Sequence, residues 1–163
     1  MSTRNLSQYD NVPNASGMRI GVVVAEWNSE ITFALRDAAI QTAREHGVAD
    51  SDIIVRHVPG SFELTAGTQM MADYVPNLDA IISIGCVIRG ETPHFDYICQ
   101  AVAAGLTQIT LKYNIPIIFG VLTTNNHQQA LDRAGGKHGN KGVEAAVTAI
   151  KMAAMKRGYN IAF

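Results

Sequence analysis

The sequence predicts a single α/β domain in which four parallel strands form a sheet with helices on both of its faces. The chain has 163 residues, the usual size of one domain, and 47% of them are apolar, which is enough for a core. Short β-branched runs without alternation indicate strands buried on both faces. These runs alternate with helical segments through short connections, an order typical of a three-layer α/β/α domain with right-handed crossovers.

The first half of the chain is predicted to contain two strands and the helix between them. Residues 20–25 form the first buried strand, and the helix that follows has Asn28 or Ser29 as its N-cap and ends at Gly47. Residues 53–58 form the second strand, which a Pro-Gly pair ends.

The middle of the chain contains several residues that favour the starts of helices. Ser61 is placed to cap the second helix, and residues 80–88 form the third strand. Thr92 as N-cap and Pro93 as the first helical residue then open a third helix. This helix is predicted to extend to about Tyr113.

The last third of the chain predicts one more strand and two helices. Residues 115–122 form the fourth strand, and a short helix covers residues 128–133. After a glycine-rich loop, Asn140 is placed to cap a final helix that reaches Lys156, where Gly158 is expected to stop it.

Residues 1–17 are predicted to form an irregular arm ahead of a domain that spans residues 18–163. Asn11, Pro13 and Gly17 are turn formers, and the proline excludes a regular helix there. The arm is expected to be either disordered or ordered against a neighbouring subunit. The charged fraction of 17% is below the usual quarter, which also suggests that another subunit covers part of the surface.

Composition argues against several classes of function. The net charge of −1 gives no support for a nucleic-acid or membrane partner. No run approaches the roughly 18 apolar residues of a membrane span, and the polar N-terminus lacks a signal core. The five histidines show no zinc-site spacing, so we expect no metal. Cys86 and Cys99 form no CxxC pair and suit a reduced interior, so the cytoplasm is the expected location.

The loop after the third strand is the most informative candidate site, because ligands of such sheets bind at the carboxyl ends of the strands. Gly90 lets the backbone approach a ligand closely, and the helix that Thr92 and Pro93 open offers free N–H groups to a phosphate. His94 falls in the first helical turn, where an imidazole can transfer protons near neutral pH. The alternative is a histidine that only faces solvent.

Other strand ends carry further candidates, each with an ordinary structural alternative. Trp27 can offer a flat face to a heteroaromatic ring or pack at a subunit contact. Glu63 can accept hydrogen bonds from a polyol or complement the helix dipole. Phe62 and Phe119, the latter expected at the end of the fourth strand, suit pocket walls or the core. Cys86 suits a core position or a pocket wall better than a nucleophile.

The segment before the last helix holds several cations and four glycines. Arg133 could bind a phosphate with its bidentate fork, and Lys141 could do so as a point charge. The alternative is a flexible loop in solvent. The chain lacks a Walker loop, a strand-linked GxGxxG and a GxSxG motif, so nucleotide binding and serine hydrolysis by those routes are not expected.

Four blocks together resemble the signature of the 6,7-dimethyl-8-ribityllumazine synthase family. They are VPGSFEL at 58–64, GCVIRGETPHFDY at 85–97, FGVLTT at 119–124, and RAG followed by GNKG within 133–142. The match covers nearly all of residues 18–157, with the blocks in family order and at family spacing. The resemblance implies a flavodoxin-like fold and the penultimate step of riboflavin biosynthesis.

In that reaction 5-amino-6-(D-ribitylamino)uracil condenses with 3,4-dihydroxy-2-butanone 4-phosphate to give 6,7-dimethyl-8-ribityllumazine, phosphate and water. An imine forms, phosphate is eliminated and the ring closes. The resemblance implies no cofactor and no metal. Two other hypotheses are a flavin-binding module and a structural shell protein of the same fold without catalysis.

The resemblance also assigns roles to matched positions. It implies proton transfer by His94. The pyrimidine and ribityl chain would contact Trp27, Ser61, Phe62, Glu63, Cys86, Val87, Ile88 and, from across a subunit interface, Phe119. The ketose phosphate would contact Glu91, Thr92, Arg133 and Lys141.

Two departures from the family pattern affect the site. Trp27 replaces an aromatic residue that is most often phenylalanine, and its larger face could also admit flavins. Glu91 places a carboxylate where small residues are common, which is harmless if only its backbone N–H faces the ligand.

As partners, the resemblance implies small-molecule substrates and a homo-oligomer with sites between subunits. The family forms pentamers, in some members twelve pentamers form an icosahedral capsid, and an association with riboflavin synthase is also expected.

Overall fold

A computed structural model describes residues 9–161 and confirms the predicted α/β architecture. Residues 1–8 of the predicted arm and the last two residues lie outside the described part. The strands are β1 Ile20–Ala25, β2 Ile53–Val58, β3 Ala80–Ile88, β4 Ile117–Thr124, β5 Ala134–Gly136 and β6 Gly139–Asn140. The helices are α1 Ser29–Glu45, α2 Leu64–Tyr74, α3 His94–Tyr113, α4 His127–Leu131 and α5 Lys141–Ile161.

The four longer strands form one parallel sheet in the order β2-β1-β3-β4. Ile20 at the start of β1 is in register with Ile53 of β2 and Ala80 of β3, while Ile81 pairs with Ile117 of β4. The first three strands have the predicted bounds. Because all four strands run in the same direction, their carboxyl ends meet at one edge of the sheet.

Two apolar clusters bury the two faces of this sheet, as expected for three layers. On one face Leu35 of α1 and Ile150 of α5 pack against Val22 of β1. On the other face Leu64 of α2 and Leu106 of α3 belong to a separate cluster that contains Val23, Ile81 and Val121 of the sheet. The alternation between Val22 and Val23 follows from the two-residue period of a strand, so β1 is buried on both sides.

The predicted bounds of β4, α4 and α5 are wrong, and α4 covers His127–Leu131 rather than residues 128–133. β4 begins two residues later than expected because Pro116 has no N–H to donate to the ladder, although its carbonyl oxygen accepts from Ile81 N at 2.9 Å. It also ends later, at Thr124, which pairs with Ile88. α5 continues through Gly158, because a helical glycine costs only about 1 kcal/mol relative to alanine and does not by itself end a helix.

Three predicted N-caps make no capping hydrogen bond through their side chains. Asn28 is in the N-cap position of α1 but adopts left-handed backbone geometry, with φ at 59°. The N-cap residue of α2 is Glu63 rather than Ser61, and that of α3 is Pro93 rather than Thr92. Asn28 and Ser61 donate instead to a carbonyl oxygen of β3, described below. These two side chains therefore have long-range partners instead of local ones.

The segments around the sheet also differ from simple loops. β5 and β6 form a small antiparallel hairpin where the glycine-rich loop was predicted, and Asn140 accepts a hydrogen bond from Gly142 N at 2.8 Å, as expected for a cap. In the described part of the arm, Ala15 is buried and its N–H donates to His46 O at 2.8 Å. Across residues 9–161, no helix is long and apolar enough to span a membrane.

Candidate active site

A cavity of about 260 Å³ lies at the carboxyl edge of the sheet, between the loops that follow β1, β2 and β3. Seven of the predicted site residues line it. The lining residues are Trp27, Asn28, Ser61, Phe62, Cys86, Val87, Ile88, His94 and Ile98. The loops meet here because the strands are parallel and adjacent, which is the general reason that α/β sheets bind ligands at this edge.

Trp27 forms one wall of the cavity and is 68% exposed. Its backbone N–H donates to Pro59 O at 3.0 Å, so the loop after β1 is tied to the loop after β2. The indole lies over Gly60, where a Cβ atom would be 2.6 Å from Cε3 of the indole. The glycine therefore allows the indole to rest on the backbone with one face open to a ligand.

Cys86 of β3 connects the loops after β1 and β2 through its carbonyl oxygen. This oxygen accepts from Asn28 Nδ2 at 3.1 Å and from Ser61 Oγ at 3.3 Å. The two lone pairs of this oxygen are thus used within the protein. Burial raises the pKa of the Cys86 thiol to about 11, which keeps the thiol protonated at neutral pH. A neutral, buried thiol is a pocket wall rather than a nucleophile.

Glu63 lies next to the cavity, at the N-cap position of α2. Its Oε2 atom is buried and has no hydrogen-bond partner within residues 9–161, and it lies 3.0 Å from a Cβ built on Gly60. Glu63 and Phe62 line an adjacent cavity of about 410 Å³, and Phe62 belongs to both cavities. An unsatisfied carboxylate oxygen is costly to bury.

The loop from β3 to α3 carries His94, Glu91 and Thr92. His94 is the first residue of α3 and lines the cavity, and its side chain is exposed. Glu91 and Thr92 are exposed as well and do not line the cavity. The free N–H groups of the first turn of α3 lie beside the imidazole, so an anion bound there would be adjacent to a proton carrier.

The remaining predicted residues lie elsewhere in the chain. Phe119 is the third residue of β4 rather than at its carboxyl end, because this strand continues to Thr124. Phe119 and Lys141 line a second cavity of about 570 Å³ between β4 and α5, where Lys141 Nζ pairs with Glu144 Oε2 at 2.6 Å. Arg133 lines neither cavity, and its Nη1 donates to Gln129 O at 2.9 Å. One chain therefore does not bring these three residues to Trp27 and His94.

Asn28 and Ile98 line the rim cavity but were not predicted as site residues, and Glu144 is among those missed in the second cavity. Ile98 is four residues after His94, and Glu144 is three residues after Lys141, so each shares a helix face with a predicted site residue. Helical spacing from the predicted residues is the signal that could have identified Ile98 and Glu144. Within residues 9–161, no group of three potential ligands could hold a metal ion.

A parallel α/β sheet with a cavity at its carboxyl edge is typical of proteins that bind small molecules there, including many enzymes. Comparison with known proteins makes the class specific. The family model described as 6,7-dimethyl-8-ribityllumazine synthase matches residues 17–157. The chain belongs to this family and is an enzyme of the transferase class that acts in riboflavin biosynthesis.

Curated relatives agree with the family model over most of the chain. A 6,7-dimethyl-8-ribityllumazine synthase of Parabacteroides distasonis is 58% identical over 151 residues, which cover 91% of this chain and 94% of that protein. The protein of the same name from Porphyromonas gingivalis is 57% identical over 155 residues, covering 94% and 96%. That of Cytophaga hutchinsonii is 55% identical over 152 residues, covering 93% and 95%.

Proposed function

We propose that the rim cavity is where this chain condenses 5-amino-6-(D-ribitylamino)uracil with 3,4-dihydroxy-2-butanone 4-phosphate to give 6,7-dimethyl-8-ribityllumazine. The observation that carries the proposal is the convergence of Trp27 and His94 on one cavity, with the unpartnered carboxylate oxygen of Glu63 beside it. These groups match the needs of the two substrates: an aromatic face for the pyrimidine, an acceptor for the ribityl hydroxyls, and a proton carrier for the condensation.

The pyrimidine ring binds against the open face of the Trp27 indole, which the close approach to Gly60 holds in place. The backbone of Val87 and Ile88, next to this wall, hydrogen-bonds the edge of the ring. The Glu63 carboxylate accepts hydrogen bonds from the ribityl chain, and Ser61 and Phe62 enclose that chain.

The ketose phosphate binds at the first turn of α3, where the N–H groups near Glu91 and Thr92 face an anion. The side chain of Glu91 is exposed and does not line the cavity. This fits a role in which only the backbone N–H of Glu91 contacts the phosphate. Arg133 and Lys141 supply the balancing positive charge for the phosphate as it leaves.

His94 transfers protons during the reaction. Imine formation requires a proton on the departing water, and elimination of phosphate requires removal of a proton from carbon, so one imidazole can serve both steps. Alignment of the two substrates on a rigid edge supplies much of the remaining acceleration, because it converts a bimolecular step into an effectively unimolecular one.

A complete site requires a second copy of the chain, so the functional form is a homo-oligomer. Phe119, Lys141 and Arg133 lie away from the rim cavity of their own chain. Large apolar side chains on the surface, such as Leu111 at 80% and Phe119 at 45% exposure, support burial by a neighbour. We propose that the assembly is a pentamer, and that pentamers further form a capsid and associate with riboflavin synthase. The free thiols of Cys86 and Cys99 suit the cytoplasm.

The decisive experiment mixes the purified protein with both substrates and follows lumazine fluorescence. We expect product only when both substrates are present, and a strong reduction with His94→Asn. A yellow protein that binds riboflavin but forms no lumazine would instead support a flavin-binding module. Sedimentation velocity on the same sample separates a monomer, which would contradict the shared site, from a pentamer or a capsid.

A further inference from the structure

The loop that carries Glu91, Thr92 and His94 is closed by an ion pair between Arg89 and Asp96, the residues on either side of it. Arg89 follows β3 directly, and Asp96 lies in the first turn of α3. Arg89 Nη2 donates to Asp96 Oδ1 at 2.8 Å and Nη1 donates to Asp96 Oδ2 at 3.2 Å. This bidentate pair encloses residues 90–95, between the end of β3 and the first turn of α3.

Both residues of this ion pair make further contacts. The backbone N–H of Arg89 donates to Thr124 O at 2.8 Å, which attaches the residue to β4. The guanidinium also lies over the Phe95 ring, with Cζ 4.1 Å from the ring centroid. Asp96 N donates to Pro93 O at 2.9 Å. The pair therefore connects the rigid sheet to the first turn of α3.

The residues inside the closure have few contacts of their own. Gly90 has open space around it, and the side chains of Glu91, Thr92 and His94 are exposed, with no hydrogen bond or ion pair in the described part of the chain. Local packing therefore does little to hold this loop. An isolated surface ion pair contributes little to stability, but bidentate arginine–carboxylate geometry adds directional constraint.

We propose that Arg89 and Asp96 are positioning residues that hold the 90–93 loop and His94 in the geometry needed for the ketose phosphate and for proton transfer. This inference rests on the proposed function of the loop. The guanidinium is committed to Asp96 and to the Phe95 ring, so it acts through the loop rather than by binding phosphate. The arginine also lowers the pKa of the Asp96 carboxyl below its usual range, so both partners stay charged at neutral pH.

The Asp96→Asn variant distinguishes two roles for Arg89: positioning the loop and binding the phosphate directly. If the pair positions the loop, this variant lowers kcat/KM for the ketose phosphate about tenfold or more, since small displacements of aligned groups are costly. The KM for the pyrimidine changes little, because Trp27 and Glu63 lie outside the closure. If Arg89 instead binds phosphate, releasing it from Asp96 lowers the KM for the ketose phosphate, and the proposal is overturned.

Arg89→Lys and the double variant provide the second test. Lysine keeps the charge but cannot form the bidentate pair, so we expect a loss similar to that of Asp96→Asn. In the double variant the losses should not multiply, because both substitutions remove one interaction. Multiplied losses would assign independent roles to the two residues. The matched control is Asp50→Asn, which removes another exposed pair, Arg44 Nε to Asp50 Oδ1 at 2.5 Å, and should leave both KM values unchanged.

Hydrogen exchange on the wild type and Asp96→Asn gives a readout that does not depend on activity. We expect faster exchange of the amides of residues 90–92, 94 and 95 in the variant, with unchanged exchange in β1 and β3. Unchanged exchange in the loop would contradict positioning even if the wild type makes lumazine. If the wild type makes no lumazine, the proposed function fails, and the exchange result alone decides whether the closure orders the loop.

Discussion

The indole of Trp27 rests on Gly60 so closely that a Cβ at position 60 would be 2.6 Å from Cε3 and 2.9 Å from Cζ3 of the ring. The same Cβ would lie 3.0 Å from Oε2 of Glu63. Gly60 has no left-handed backbone geometry, so its role is steric rather than conformational. One glycine thus lets an aromatic wall and a carboxylate approach each other at the rim of the cavity.

Gly60→Ala is expected to displace the indole and raise the KM for the pyrimidine substrate about tenfold, with a smaller effect on the ketose phosphate. The physical reason is that the added methyl group occupies space now taken by the ring. Trp27 is the only tryptophan, so its emission spectrum should shift in the variant. Gly158→Ala is the control, because a Cβ there meets open space. An unchanged pyrimidine KM and spectrum in Gly60→Ala would contradict this account.

His94→Asn is expected to lower kcat about 10²–10⁴-fold, the usual contribution of a positioned acid–base group. Substrate binding should change much less, since the amide occupies similar space without titrating near neutral pH. Steady-state kinetics across pH 5–9 would measure both effects. His46→Asn, at the C-terminal end of α1, should retain wild-type kcat. A His94→Asn enzyme with full turnover would remove the imidazole from the mechanism.

Arg133→Lys is expected to raise the KM for the ketose phosphate about tenfold, because lysine cannot reproduce the bidentate fork on a phosphate. The KM for the pyrimidine should stay near the wild-type value. The control is Arg56→Lys, an exposed arginine on β2 whose Nη1 donates to the neighbouring Val55 carbonyl oxygen at 2.8 Å. Normal affinity of the Arg133→Lys enzyme for the ketose phosphate would exclude a phosphate role for this guanidinium.

Cys86 is expected to react with iodoacetamide more slowly than Cys99 at pH 8, as measured by mass spectrometry of the alkylated peptides. Burial raises the pKa of the Cys86 thiol to about 11, so little thiolate is present, and only 4% of the residue is exposed. Burial also raises the pKa of Cys99, but this residue is less buried. Faster alkylation of Cys86 would mean that the pocket wall is more accessible than the structure indicates.

The same raised pKa predicts how Cys86 affects stability with pH. The folded-state pKa is above the usual thiol value of about 8.5, so the neutral thiol favours the folded state. This contribution is complete below about pH 8.5 and is lost as the pH rises through about 11. Denaturant unfolding of the wild type and Cys86→Ala should therefore show a free-energy difference that shifts against the wild type over that range. A constant difference would contradict the raised pKa.

Local sequence signals were enough to predict the sheet and most helices. β1, β2 and β3 have the predicted bounds because β-branched runs and turn residues act over a few positions. Two N-cap predictions were wrong because a distant partner competes with a local one. Asn28 and Ser61 are good N-cap residues, but both donate to the Cys86 carbonyl oxygen, which lies on a different strand.

The candidate site could also be predicted from the sequence only in part. Chain order alone predicted which residues follow the strands, because parallel strands end at one edge, and the family blocks identified the enzyme. Only the folded chain established that Trp27 lies on Gly60, that Glu63 Oε2 has no partner within residues 9–161, and that Phe119 lines a different cavity. Such relationships depend on contacts between residues far apart in the chain, which the order and register of the strands create and which no local pattern encodes.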